Sequence, residues 1–242
     1  MADREQQRII MSGVRAWNEW REKQPSIRVD LSGADFSDLS LNGVDLNGAN
    51  LQDVNFDKSS LVGGILIGAN LSEASLVGAN LTGVNLRTAN VGDADLRSIT
   101  LVGADLSRAN LAKTDCSEAD LTSANVSEAN LHFVNLSMAT LLNANLDGSK
   151  IREANLMNAN LRGANLSHVD LTQSNLKCAN LEEANLDKAS LIYVDLEHAN
   201  LQNIRNVTIT QLSKVRSLVD AHLESSIAMQ IQDIYPHLVL KA

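Results

Sequence analysis

The sequence predicts an all-β solenoid: a square coil of almost nine turns, with α-helices closing both ends. Three observations predict it. Every fifth residue from Leu31 to Leu201 is apolar, 35 positions in all, and 29 of them are Leu. Two residues before each of these centres stands Ala in 21 cases, and never a charged residue. One residue before each centre stands Asn in 18 cases and Asp in 9.

A helix places its apolar residues near every 3.6 positions and a half-buried strand every second one. A period of five fits neither. It fits a chain that turns a corner every five residues and sends one anchor inward from each side. Four such sides close a coil of about twenty residues, and coils stack at the inter-strand spacing of about 4.8 Å, for a rod of about 42 Å. One repeat is too small to bury its own apolar face, so neighbouring coils supply the burial. The small residue two before the centre suits a tight inward corner. Asn and Asp bond nearby backbone groups in turns and tolerate unusual backbone angles, and stacked Asn side chains can ladder along the axis. The two residues after the centre vary and are expected to face solvent.

Taken in order, the chain divides into 1–24, an N-terminal helical cap; 25–204, the coil; and 205–242, a C-terminal helical cap. Residues 3–23 read as one amphipathic helix with Ile10, Val14 and Trp17 on one side, flanked by Ile9 and Trp20. Pro25 ends it. An open coil exposes unpaired strand edges, so this helix, with Trp17 and Trp20, is expected to plug the first coil. A partner-binding helix is the alternative. After Leu201 the period fails at Asn206. Thr208 followed by Gln211 resembles a helix-start capping box, and Leu212, Val215, Leu218 and Val219 continue at helical spacing. A second helix is expected over Ser225–Ile234, before Pro236. These segments carry more apolar residues than a minimal cap needs, which offers a homodimer interface.

Composition bounds the function. The net charge of the chain is −9, and between Leu31 and Ile204 there are 10 basic and 21 acidic residues. A negative rod does not suit the phosphate backbone, which is held by clustered Lys and Arg, so no direct nucleic-acid binding is expected. Cys116 stands at an inward position and Cys178 at an outward one, so no disulfide is expected. The start MADREQQRII shows no secretory signal and no apolar run reaches membrane-span length; a cytoplasmic protein is expected, with no membrane partner.

The histidines His132, His168, His198, His222 and His237 show no spacing that sets one beside another His, Cys or carboxylate as a metal set. No nucleophile elbow, phosphate loop or zinc motif appears. The expectation is therefore no catalytic, cofactor-binding or metal-ligating residue, no cofactor and no enzymatic activity.

The A-(D/N)-L-x-x pattern, as in ADLSRANL from Ala104 to Leu111, resembles the pentapeptide repeat family over about 175 residues. That resemblance implies a right-handed quadrilateral β-helix. Most members of that family lack an assigned activity, and many come from cyanobacteria. One regulates cell differentiation through protein contacts; others are acidic dimeric rods that bind DNA gyrase.

Residues twenty apart stack in columns, so the outward residues can be sorted by side. One side presents Val62, Val102 and Leu142 among Gly and Thr, with Ile65 and Ile67 continuing the apolar character around the corner. Such a face is a candidate interaction site, though a flat wall of glycines and β-branched residues would look the same. Another column holds Asp53, Glu73 and Asp93, followed by Lys113. This acidic ladder could receive a basic partner, or simply splay into water. The leading expectation is a non-enzymatic interaction or regulatory scaffold with an unidentified protein partner. A DNA-mimicking gyrase binder is the alternative, but duplex DNA carries one charge per about 1.7 Å, so a rod of this length needs about 25 negative charges. A self-assembling structural rod is the third reading.

Overall fold

The computed structural model describes residues 2–240. From Asp30 to Arg205 every bridge is parallel and joins a residue to the one twenty further on, from Asp30–Asn50 to Asn185–Arg205. Four repeats therefore make one coil, and the shaft is a four-sided parallel β-helix. In each repeat the residue before the centre forms the bridge, and the two after the centre form a turn.

The repeat satisfies its own backbone. Around Leu71, the Leu71 amide donates to Asn90 O at 2.6 Å and that of Glu73 to Gly92 O at 3.1 Å in the next coil. The Ser75 amide reaches back to Val54 O, and that of Ala74 closes the turn on Leu71 O. The fifth amide, Ser72, has no backbone partner and donates to Asn70 Oδ1 at 3.3 Å. This is the physical reason for Asn or Asp before each centre: its short side chain accepts the one N–H that the stack leaves out. The same side chains ladder between coils. Asn70, Asn90, Asn110 and Asn130 each donate to the residue twenty before, at 3.4, 2.9, 2.8 and 2.8 Å.

The centres are buried throughout, from Leu31 at 0% exposure to Leu201 at 0%. Each buried Leu contributes about 1.5–3 kcal/mol relative to an exposed one. Phe36 and Phe56 stack inside the first coils with ring centroids 5.6 Å apart. Where Ala is replaced by Ser59 or Thr114, the hydroxyl bonds to a backbone carbonyl, Phe56 O at 2.7 Å and Val91 O at 3.1 Å. Ser149 Oγ is buried without such a partner.

One expectation of free variation is corrected. The second residue after every centre has a positive φ, between 54° and 72° across all 35 repeats. This is the third position of a turn of type II character, which favours Gly. Ten of these positions are Gly and 25 are not. A non-glycine residue there bears about 1–2 kcal/mol of strain. The unusual backbone angle thus falls on this residue and not on the Asn or Asp before the centre.

The N-terminal segment is two helices rather than one: α1, Arg4–Met11, and α2, Val14–Lys23. Gly13, with φ 119°, breaks the run and lets the second helix fold back on the first. Asp3 caps α1 by accepting from the Glu5 and Gln6 amides. Ile10 and Trp17 are fully buried.

The C-terminal segment differs more. The capping box at Thr208 and Gln211 forms, but its helix, α3, is only Ile209–Leu212. The helix expected through Val215, Leu218 and Val219 does not form. The chain instead rejoins the coil two residues out of frame, with bridges Asp195–Ser217 and Asn200–His222. Ala221-His222-Leu223 is a degenerate copy of the repeat, and Asp220 has the left-handed φ of 53° that its place demands. Leu218 is then a centre and is buried at 1%. The last helix, α4, spans Ser225–Ile234 as expected, followed by a short 3-10 turn, Pro236–Leu238. No helix among the described residues is long and apolar enough to cross a membrane.

Candidate functional site

The outward residues lie on a rigid lattice, which fixes their neighbours. Val62, Val102 and Leu142 share one column, two coils apart, with Thr82 and Thr122 between them. All three are half-buried. The Thr82 and Thr122 hydroxyls turn back onto Asn80 and Asp120 of their own repeats at 2.7 and 2.6 Å, so the column offers methyl groups and no free hydroxyl. Ile67 is half-buried, whereas Ile65 is 42% exposed. Ile65 takes the bridge position normally given to Asn or Asp, so it provides no acceptor for the Ile67 amide. The structure thus brings Val62, Ile65 and Ile67 into one coil and sets Val102 and Leu142 along the same edge.

Asp53, Glu73 and Asp93 are exposed and stacked in one column on a different side. Gln52 Nε2 donates to Glu73 Oε1 at 3.2 Å, and Lys113 Nζ stands 4.0 Å from Asp93 Oδ1. Arg4 and Gln7 of α1 border the same shallow depression as Asp53 and Glu73. The ladder is therefore partly neutralised at its far end and overhung by the N-terminal helix.

Trp17 is buried and Trp20 half-buried, with rings 5.0 Å apart. Trp17 Nε1 donates to Asp45 O at 2.7 Å. Both tryptophans face the first coil.

The histidines need a correction. His168 Nδ1 lies 2.9 Å from Asp147 Oδ1. His198 sits 3.7 Å from both Glu197 and Asp220 and directly follows Cys178 in its column. The twenty-residue coil brings these groups together, a spacing that inspection of local motifs does not weigh. No group of three or more His, Cys, Asp or Glu that could hold a metal occurs among the described residues. Cys116 is buried, and burial followed by the charges of Asp115 and Asp95 pushes its thiol far above the ordinary value. Cys178 is exposed, and neither thiol is in a disulfide.

Cross-coil ion pairs cover much of the remaining surface. Arg108 pairs with Glu128 at 2.9 Å, Arg162 with Glu183 at 3.0 Å and Lys177 with Glu197 at 2.6 Å. Sorting by charge alone passes over a further set: Phe133, Met138 and Tyr193 are 51%, 61% and 66% exposed. All three occupy the left-handed turn position. Listing the second residue after each centre, and asking where it is neither Gly nor polar, would have found them.

This geometry is that of a right-handed quadrilateral β-helix, a solenoid with a solid apolar core and a patterned exterior. The chain belongs to the pentapeptide repeat family, whose model matches residues 30–66, 65–101, 89–127, 124–163 and 164–203. Among solved structures it is similar to a trypsin-treated form of QnrB1, a plasmid-mediated fluoroquinolone resistance protein. That likeness has 16% identity over 84% of this chain and 98% of that one, with a TM-score of 0.51. It is also similar to HetL, a pentapeptide repeat protein involved in heterocyst differentiation regulation from the cyanobacterium Nostoc sp. strain PCC 7120. There the identity is 29% over 84% of this chain and 92% of that one, with a TM-score of 0.42. No curated protein matches the chain significantly.

Proposed function

We propose that this protein is a non-enzymatic interaction scaffold, a rigid rod that presents a fixed surface to a protein partner in a regulatory role. The observation that supports this most is the column of Val62, Val102 and Leu142 with Ile65 and Ile67 beside it. These residues form an apolar edge on a shaft whose backbone is bonded and whose other outward positions are largely polar. Exposed apolar patches on a soluble lattice mark contact surfaces, and a preformed surface loses little entropy on binding.

The DNA-mimicking alternative is supported less. The carboxylates of Asp105, Glu128, Asp170 and Glu182 each lie within 4.0 Å of an arginine twenty residues away or nearly so. Such pairs interrupt the continuous negative strip that a duplex presents.

The test is affinity capture from the source organism's lysate with the full chain and with Val102→Glu. Val102 is half-buried and outward-facing, so the variant should stay folded. A protein captured by the native chain and lost with the variant supports this reading. Capture of gyrase subunits would favour mimicry instead. A partner retained by the variant excludes this edge.

A further inference from the structure

We propose that a second wall of the shaft, anchored by Phe133 and Tyr193, binds an extended polypeptide segment with two large apolar side chains flanking a basic one. Only these two aromatic residues of the coil are exposed; Phe36 and Phe56 lie in the core. They fall in one column, with Glu153 and Gln173 between them. Glu153, Gln173 and Tyr193 line a shallow depression together with Arg216.

Phe133 has φ 60° and Tyr193 φ 55°, a conformation that a bulky residue enters only under strain. Ten equivalent positions elsewhere in the shaft are Gly. The Phe133 ring has one aromatic neighbour, His132, at 6.3 Å between centroids, and both rings remain more than half exposed. The other 23 non-glycine residues at this turn position bear the same strain, so what distinguishes these two is their exposed aromatic surface, and aromatic anchors of this kind dominate contact energies.

Spacing and charge define the occupant. Three coil steps separate the anchors by about 14 Å. An extended chain advances about 3.4 Å per residue and shows alternate side chains on one edge, so residues four apart on that edge match the anchors. The residue midway meets Glu153 and Gln173. Glu153 is exposed, and no cation among the described residues pairs with it; its neighbour Arg152 faces Asp170 instead, at 3.7 Å. A Lys or Arg fits there. Past the second apolar side chain the segment reaches Arg216, which borders the same depression as Tyr193, where an acidic residue fits. The floor of the wall is the Asn135–Asn155–Asn175 ladder, whose amides already bond one another at 3.0 and 3.4 Å. Recognition must therefore come from side chains and not from strand addition, because the shaft wall offers no free edge.

This site lies on a different wall from the Val62–Leu142 column and does not rest on it. The test is fluorescence anisotropy of the full chain with a labelled peptide, Gly-Leu-Ser-Lys-Ser-Leu-Ser-Asp-Gly. A control carries one extra Ser before the second Leu, which turns that Leu to the opposite edge. Saturable binding of the first peptide, at least tenfold weaker for the control, is expected. Phe133→Gly and Tyr193→Gly should each weaken binding at least tenfold while Tm is unchanged or raised, because Gly relieves the left-handed strain. Glu153→Gln should weaken binding and flatten its dependence on salt. Val102→Glu should leave it unaltered. No saturation with the first peptide, equal binding of the control, or full binding by Phe133→Gly would overturn the proposal, as would loss with Val102→Glu.

Discussion

The two ends of the rod solve one problem in different ways. Each must satisfy the backbone groups that a missing coil would have bonded. At the N-terminal end a folded-over helix pair does so with side chains. Asn18 donates to Gly43 O at 2.9 Å and accepts from the Asp45 amide at 3.0 Å, standing in for a residue of the absent strand. Gln6 does the same for Arg28 O and the Asp30 amide, at 3.2 and 2.8 Å, and Arg21 reaches Asn47 O at 2.9 Å. At the C-terminal end the chain continues its own coil. It bridges at Ser217 and His222, and Gln211 covers Leu186 O and Ala189 O at 2.9 and 3.0 Å. That end leaves Met229, Ile234 and Leu240 58–66% exposed. A cap built from side chains can be sealed by a few polar groups and one tryptophan. A cap built from more coil passes the open face to the next element, here α4.

The largest expected effect separates these designs. Trp17→Ala removes the plug and its bond to Asp45 O, and should destabilise by about 3–5 kcal/mol, as large aromatic truncations in cores do. Hydrogen exchange should place the loss in the first coil, leaving the coil around Leu196 protected. Uniform loss along the shaft would mean that the cap governs the whole rod.

Asn18→Ala should have a smaller effect, about 1–3 kcal/mol, because it orphans one carbonyl and one amide together. Urea denaturation measures it. A change under a few tenths would show that water replaces Asn18 freely and that Trp17 alone seals this end.

The smallest effect is a pH dependence present at both ends. A hydrogen bond from Lys177, then its charge, holds Glu197 below the ordinary value of 4.5. The Ser32 hydroxyl holds Asp30 below 3.8. Both carboxylates have depressed folded values, so their stabilisation is complete above the unfolded value and disappears as pH falls through the folded one. Tm measured from about pH 7 to about pH 3 should fall at the acid end of that range. Lys177→Met should reduce the slope near the Glu197 titration, and Ser32→Ala near that of Asp30. Equal slopes in native and variant chains would show that these pairs do not contribute.

Much of the shaft was legible in the sequence. The period placed every centre from Leu31 to Leu201 and made each of them buried. The bridge residues were legible too, although their main task, accepting the amide two residues on, appears only when the backbone is traced. The cap helices were less legible. The apolar spacing over residues 3–23 runs through Gly13 without a break, but that residue's φ of 119° makes it the hinge between two helices. Val215 and Leu218, beyond the end of α3 at Leu212, satisfied helical spacing by coincidence. Their segment is held against the last regular coil by bonds from the Arg216 amide to Val194 O and from the Leu196 amide to Ser217 O, contacts between distant residues that a local period does not register. Of the candidate surface residues, Val62, Val102 and Leu142 could be aligned by counting in twenties, and so could Phe133 and Tyr193, whose exposure the structure adds.

By itself the sequence determined the coil: its frame, its core and its nearly nine turns. Each repeat needs only its nearest neighbours, so a one-dimensional pattern carries that information. The tertiary structure alone decided how the open ends are satisfied and where the coil resumes after Asn206. Those depend on edge groups that follow no period, so no five-residue pattern can encode them.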